Sequence, residues 1–341
     1  MSIIMALVSV ESHPNIALVK YWGQRDSDLY LPYNSSISIT LNSKLWTRTS
    51  IYTSKELKKD EAYLNGKKLS GAKLKRALRQ VNYLRKNNVI SKKAKVKIAS
   101  VNNFPTGAGI ASSASGFSAL ALALNKSFKL NLNKKELSVL ARIGSGSAAR
   151  SIYGGFVLWN KGKLKSGADS YAVQVKKENF WSELRDLVII VETKEKKVNS
   201  AEGMQRCVET SPSFMHRIGE AESRVEKIKR ALFKKDFENL AIETMHDSDR
   251  MHSLISEARP KFSYLNAASK NVINTVRAFN SNGIKAAYTF DAGPNAHVLT
   301  LKKNVNDLKQ ILFKIKGVKE IIEAKVGGGP KIIKKEVRVS K

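Results

Sequence analysis

The stretch IKAAYTFDAGPNAHVLTLKK, Ile284 to Lys303, decides the reading of the second half of the chain. Apolar and β-prone residues run up to a single carboxylate, Asp291, and Gly293 and Pro294 turn the chain at once. IKAAYTFDAG and AHVLTLKK therefore read as two strands joined by a turn. Working outward, LRDLVIIVET reads as a buried strand. A long helical region follows from about Ser213 to Ala258, ended by Pro260. YLNAASKNVINTVRAFNSNG is a helix with an Asn-Gly stop, VNDLKQILFKIKG another, and VKEIIEAKV a last strand. Strand, helices, two strands, helix, strand is the order of an α+β layer sandwich.

The first half mixes strands and helices. The N-terminal run MSIIMALVSV reads as a strand, as do IALVKYW, SSISITL, TRTSIYT and AKVKIASVNN. SGAKLKRALRQVNYLRKNN reads as one amphipathic helix. SSASGFSALALALNKSF is a strongly apolar helix, NKKELSVLARIGSGSAARS a second one broken by glycines, and GGFVLWNKG a strand entering a turn. With 341 residues there is room for about two domains. The expected division is 1–185 and 186–341, both α+β, with the site in the cleft between them.

The net charge is +31, from 60 Lys and Arg against 29 Asp and Glu. Such a balance raises a nucleic-acid partner. The basic residues are spread along the whole chain and are not interleaved with aromatics, so they read as a solvated, lysine-rich surface of the kind high-temperature proteins carry. The same field draws anionic substrates toward a cleft. Cys207 is the only cysteine, which excludes an internal disulfide framework and a multi-cysteine zinc site. A free thiol fits a reducing cytoplasm, and a bridge through Cys207 across a dimer axis is the other expectation. No segment approaches the ~20 apolar residues of a membrane helix. The expected setting is cytoplasmic, with no membrane and no nucleic-acid partner. His13, His216, His246, His252 and His297 are scattered and form no metal motif.

Three segments carry chemistry. FPTGAGIASSASG, Phe104 to Gly116, is a turn-rich loop feeding a helix. Gly107 and Gly109 allow backbone amides close to an anion, the helix start adds free N–H donors, and Ser112 and Ser113 add hydroxyls for phosphate oxygens or Mg²⁺. An N-capped glycine turn would have the same composition. SGSAAR, Ser145 to Arg150, holds two hydroxyls and a guanidinium suited to carboxylate or phosphate, and by itself it reads as a structural turn. In NIALVKYWG, period-two alternation puts Lys20 on one face with Ile16 and Leu18. A buried lysine needs a partner, and Asp291 is the other charge embedded in a strand end. Lys20 could equally reach solvent at a strand edge.

Taken together, NIALVKYWGQRD, LPYNSSISITL, NNFPTGAGIASSASG, SGSAARSIYGGFVLW, VETSP and YTFDAGPNA resemble the mevalonate diphosphate decarboxylases of the GHMP kinase superfamily. The blocks occur in family order from about residue 13 to 298, and KYWG, SGSAxRSxYGG and YTFDAGPN are the specific ones. The resemblance implies a ribosomal-S5-like N-terminal domain and a ferredoxin-like C-terminal domain. It implies ATP·Mg²⁺ bound by Pro105, Gly107, Gly109, Ala111, Ser112 and Ser113. The substrate would be phosphorylated on its tertiary 3-hydroxyl and would then lose phosphate and CO₂. Asp291, Lys20 and Arg150 would be catalytic. Asn15, Tyr21, Ser145, Ser147, Arg150 and Ser200 would contact substrate, and the working unit would be a homodimer. Two departures stand out: Gln24 replaces the lysine that usually follows KYWG, and a basic residue is missing around Ala201 or Gln205. Both places belong to the substrate's 5-phosphates in the family, and Arg25, Lys196, Lys197 and Arg206 are the candidates to compensate. The competing readings are a decarboxylase of mevalonate 5-phosphate, a kinase that only phosphorylates the 3-hydroxyl, and a basic nucleic-acid-binding protein.

Overall fold

The structure is a computed structural model that describes residues 6–42, 44–104, 112–192 and 197–337. Among these residues three main sheets alternate with layers of helices. The first sheet has the strand order Lys331–Ile333, Ala6–Ser12, Thr47–Thr53, Val96–Asn102, Glu61–Leu64, Lys67–Lys68. The second runs Ala172–Lys176, Phe156–Trp159, Ser36–Thr40, Asn15–Val19, all antiparallel. The third runs Ala286–Phe290, Ala296–Leu301, Leu184–Ile190, Glu320–Lys325, also antiparallel.

Helices Ser112–Ser127 and Lys134–Gly144 fill the space between the first two sheets, where Leu120, Leu124 and Leu140 share a core with Val10, Ile51 and Trp159. Helices Phe214–Lys234 and Phe237–Glu257 fill the space between the second and third, where Val225, Ile228 and Leu240 meet Ile16, Leu18, Val188 and Leu299. Helices Ala267–Phe279 and Val305–Phe313 cover the far face of the third sheet. The Leu184–Ile190 strand is buried along its whole length. Val188 and Ile190 face one core and Leu187 and Ile189 the other. A strand covered on both faces is a continuous apolar run, which is why DLVII lacks alternation.

Several expectations change. The 71–89 segment is two helices, Gly71–Ala77 and Arg79–Lys86, separated at Leu78. The helical region after Ser213 is two helices, because Lys235 adopts the left-handed conformation (φ 54°) and Asp236 caps the next helix through Asn239 N–H. Helix Ser200–Thr210 was not anticipated, although Asn199 followed by Glu202 is its capping signal. The last strand, Lys331–Ile333, pairs with Ala6–Ser12. Lys331–Ile333 therefore belongs to the first sheet and not to the sheet of the unit begun at 186.

Cys207 is 0% exposed, packed among Trp22, Met204 and Phe214. Burial raises its thiol pKa. A bridge through Cys207 to a second copy would require this core to open, so the expected intermolecular disulfide is withdrawn. No helix among the described residues is long and apolar enough to cross a membrane.

Candidate active site

Asp291 is the first residue past the Ala286–Phe290 strand. The turn behind it is held locally: Gly293 N–H donates to the Asp291 carbonyl at 2.8 Å. Asn295 Oδ1 accepts from Val191 N–H at 2.7 Å and from Glu192 N–H at 3.0 Å. Lys20 is likewise the first residue past its strand, Asn15–Val19, whose pairing is irregular between Ala17 and Val19. The irregularity interrupts the period-two alternation of Ile16 and Leu18 before it reaches Lys20. Its Nζ donates to Asp291 Oδ1 at 2.7 Å, joining positions 271 residues apart. The Lys20 side chain is 2% exposed and that of Asp291 25%. Burial by itself raises the pKa of Asp291. The adjacent Lys20 charge and its hydrogen bond, helped by His297 and Arg150, more than offset that, and the carboxyl lies below its ordinary value.

The backbone on both sides of this pair is fixed by one helix, Phe237–Glu257. Asp247 Oδ2 accepts the Lys20 N–H at 2.6 Å. The next residue, Ser248, accepts the Phe290 N–H at 3.1 Å. The Lys20 carbonyl accepts from Asn34 Nδ2 at 3.0 Å and from Arg217 Nη2 at 3.1 Å. Arg217 also faces Asp247 at 3.5 Å. Nothing local in the sequence marks Asp247, Ser248 or Arg217 for this work, since each acts on a residue distant along the chain. His252, on the same helix, stacks edge-on to Phe290 at 6.0 Å. Burial and then the Lys20 charge push its imidazole down to about 4, so it is neutral.

Arg150 is 3% exposed and sits in a short 3₁₀ helix, Gly146–Ile152. Its Nε donates to Asn15 Oδ1 at 3.1 Å and its Nη1 to Ser36 Oγ at 2.7 Å. Asn15 in turn donates to Ser151 Oγ at 2.7 Å and to the Ser147 carbonyl at 3.1 Å. Asn15 thus orients the arginine and braces its loop. No carboxylate among the described residues lies within ion-pair distance of Arg150. Burial pushes its pKa down to about 10, which still leaves it charged. Ser113 Oγ lies 3.1 Å from Ser145 Oγ, which lies 3.4 Å from Ser147 Oγ, a row of hydroxyls between the two loops. A methyl group on Gly146 would fall 2.6 Å from the Tyr21 ring, so glycine is what lets Tyr21 pack here. Tyr21 OH accepts from Gln24 Nε2 at 2.7 Å.

These groups open onto one cavity of about 210 Å³, lined by Lys20, Tyr21, Gln24, Ser147, Arg150 and Asp291 among others. A second cavity of about 370 Å³ is lined largely by apolar groups such as Leu64, Leu69, Ile98 and Phe117, with Ser100 and Asn102 as polar points. The two share four lining residues: Arg76, Ser112, Ser113 and Asn199. The described parts of helices Ser112–Ser127 and Ser200–Thr210 both start there, so two positive dipole ends meet at the junction. Of the expected residues, Lys20, Tyr21, Ser112, Ser113, Ser145, Ser147, Arg150, Ser200 and Asp291 all line this cavity. Asn15 stands behind it. Pro105, Gly107, Gly109 and Ala111 lie outside the described residues. No group of His, Cys, Asp and Glu able to hold a metal occurs among the described residues. A divalent ion would therefore be held through phosphate oxygens and a hydroxyl such as Ser112.

The Lys20–Asp291 pair, one of the two readings the sequence left open for Lys20, thus lines a cavity that adjoins a largely apolar one. The model of the diphosphomevalonate decarboxylase-like N-terminal domain matches residues 12–172, and that of the mevalonate 5-diphosphate decarboxylase C-terminal domain matches residues 186–316. The chain belongs to the mevalonate diphosphate decarboxylase family. The diphosphomevalonate decarboxylase of Candida albicans is 40% identical, over 96% of this chain and 98% of that protein. The crystal structure of mevalonate diphosphate decarboxylase from Staphylococcus aureus superposes with a TM-score of 0.90 at 36% identity, covering 97% of this chain and 99% of that one. The structure of MDDEF in complex with MVAPP, AMPPCP and magnesium superposes with a TM-score of 0.89 at 37% identity, covering 96% and 99%. The matched decarboxylase domains therefore frame the cavities from both halves of the chain.

The departures can now be placed. Gln24 and Ala201 both line the Lys20–Asp291 cavity, whereas Gln205 points away and bonds Glu209. Two of the candidate compensating residues are engaged elsewhere. Arg25 donates to the carbonyls of Lys161 and Leu164, and Arg206 pairs with Glu202 at 2.7 Å. Lys197 does not line the cavity, and Lys196 lies outside the described residues.

Proposed function

We propose that this chain catalyses the ATP-dependent decarboxylation of mevalonate 5-diphosphate to isopentenyl diphosphate, with ADP, phosphate and CO₂ as the other products. The observation that carries the reading is Arg150. It is a guanidinium 3% exposed, aligned by Asn15 and Ser36, with no carboxylate at ion-pair distance among the described residues, in the cavity that holds Lys20 and Asp291. A buried charge without a counter-ion is costly unless a ligand supplies one. Arg150 takes the substrate's C1 carboxylate, with Ser145 and Ser147 donating to substrate oxygens.

Fixing the carboxylate fixes the bond that will break. Asp291 receives the 3-hydroxyl proton as that oxygen accepts the γ-phosphoryl group. Its depressed pKa makes it a weak base, so holding and orienting the hydroxyl is the larger part of its work. Lys20 keeps Asp291 ionised and stabilises the charge passing between oxygens. The tertiary oxygen, once phosphorylated, leaves C3 as phosphate and takes the C–O bonding pair with it. The electrons of the C1–C2 bond form the new double bond as CO₂ leaves. Arg150 keeps the carboxylate aligned with the departing oxygen throughout.

The nucleotide fits the neighbouring cavity. Apolar walls at Leu69, Ile98 and Phe117 suit a base and sugar, and the N–H groups at Ser112 and Ser113 suit its phosphates. Mg²⁺, held by the phosphates and Ser112, supplies charge neutralisation. CO₂ and ADP measured in parallel, with mevalonate 5-diphosphate and separately with mevalonate 5-phosphate, test the reading. Equal amounts of both from the diphosphate are expected. Preference for the monophosphate assigns the other substrate, and ADP without CO₂ from either leaves a kinase.

A further inference from the structure

We propose that Arg76 is the cation that binds the terminal 5-phosphate of the substrate and sets the preference for a diphosphate over a monophosphate. The inference rests on the decarboxylase reading above and goes beyond it by assigning the phosphate end. Charge matching leads to it. The described residues lining the substrate cavity include three cations, Lys20, Arg76 and Arg150, and one carboxylate, Asp291. Lys20 is committed to Asp291 at 2.7 Å. Arg150 is held by Asn15 and Ser36 at the carboxylate end. The remaining polar side chains, among them Tyr21, Gln24, Tyr30, Asn199 and five serines, are neutral. A substrate bearing a carboxylate and two phosphoryl groups is left with its most charged end unmatched by any of these.

Arg76 is the cation still available. It lies in the last turn of helix Gly71–Ala77, on the wall shared by the two cavities. Its guanidinium rests 5.8 Å from the centre of the Phe117 ring. It has no hydrogen-bond or ion-pair partner among the described residues. The ring supports the arm and leaves the N–H edge free for a bidentate contact with phosphate oxygens. Arg142 adds positive potential at Tyr21 on the cavity wall. It is 0% exposed and donates to the Gly167 carbonyl at 3.0 Å, with no carboxylate in ion-pair contact among the described residues. Position 76 is exposed, so replacing it does not disturb the core.

The experiment compares wild type, Arg76→Gln and Arg76→Lys in steady-state kinetics with mevalonate 5-diphosphate, mevalonate 5-phosphate and ATP varied in turn. Arg76→Gln is expected to raise KM for the diphosphate about tenfold or more. KM for the monophosphate and for ATP should change less than about threefold, and Arg76→Lys should recover part of the loss. An unchanged KM for the diphosphate overturns the assignment. So does a rise confined to ATP, or an equal rise for ATP and substrate, because each marks a nucleotide contact. If the wild type releases no CO₂ from either substrate, the decarboxylase reading fails on its own. Calorimetric titration with inorganic diphosphate then decides the Arg76 question: weaker binding in Arg76→Gln supports it and equal binding ends it.

Discussion

Arg150 and Arg217 make an instructive pair. Both are nearly sealed from solvent, 3% and 1% exposed, and burial lowers the pKa of each. Arg217 has Asp247 at 3.5 Å, and Arg224 approaches the same carboxylate at 3.7 Å. Its charge is answered inside the protein, and its hydrogen bond to the Lys20 carbonyl is structural. Arg150 has only neutral partners, Asn15 and Ser36, and faces a cavity. The same side chain with the same burial is a strut in one place and, on the function proposed above, a receptor in the other. What separates them is whether the fold supplies the counter-ion.

The Lys20–Asp291 pair stands between these cases, closed by its partner yet open to the cavity at Asp291. It should show the largest effect. Asp291→Asn is expected to lower kcat about 10³-fold, within the range for a positioned proton acceptor. Single-turnover assays would show it, and a loss below about tenfold would remove Asp291 from the reaction. Next comes the closed arginine. Asp247→Asn leaves Arg217 buried without its full charge and loosens the Lys20 backbone. Its expected cost is about 3 kcal/mol of stability, seen as a lower melting temperature. Unchanged melting would erase the distinction drawn between the two arginines. The open arginine should behave in the opposite sense. Arg150→Met is expected to cost about 10²-fold in kcat/KM, as lost carboxylate alignment, and to melt within a few degrees of wild type. A large melting loss would mean that Arg150 too is a strut.

The effect confined to acid is the pH dependence of His252. An unfolded histidine takes up its proton near pH 6.5, whereas the folded imidazole resists until about 4. Between those values the unfolded chain binds the extra proton, so stability is lost as pH falls. His252→Gln should flatten that part of a melting-temperature profile. Identical slopes for the two proteins would show that His252 does not stay neutral when folded. Acid loss from Asp291 belongs to a lower window, because its folded pKa lies below the ordinary carboxylate value.

Much of the site was legible because its signals are local. Asp291 ends a strand and is followed by a turn, and Ser112 and Ser113 open a helix, just as their neighbours in sequence indicate. The Lys20–Asp291 pairing was one of two open readings, raised by the cost of burying each charge alone, and the structure chooses it. The exact placement of Lys20 was not legible. Alternation assumes a regular strand, and the irregularity between Ala17 and Val19 breaks the period. Cys207 could be read either as a free thiol or as a bridge, because its exposure depends on packing by Trp22 from a distant segment and by Phe214 from the next helix.

The sequence by itself determined many of the elements, the α+β class, and the motifs that identify the decarboxylase family, because turns, caps and apolar periodicity act over a few residues. Tertiary structure decided which charges are answered and which are left open. Asp247 reaches Lys20 across 227 residues, the strand Lys331–Ile333 returns to the first sheet, and Arg76 meets both cavities on a wall made by remote segments. Electrostatic energy depends on distance and burial in space. Only the folded chain sets either of them.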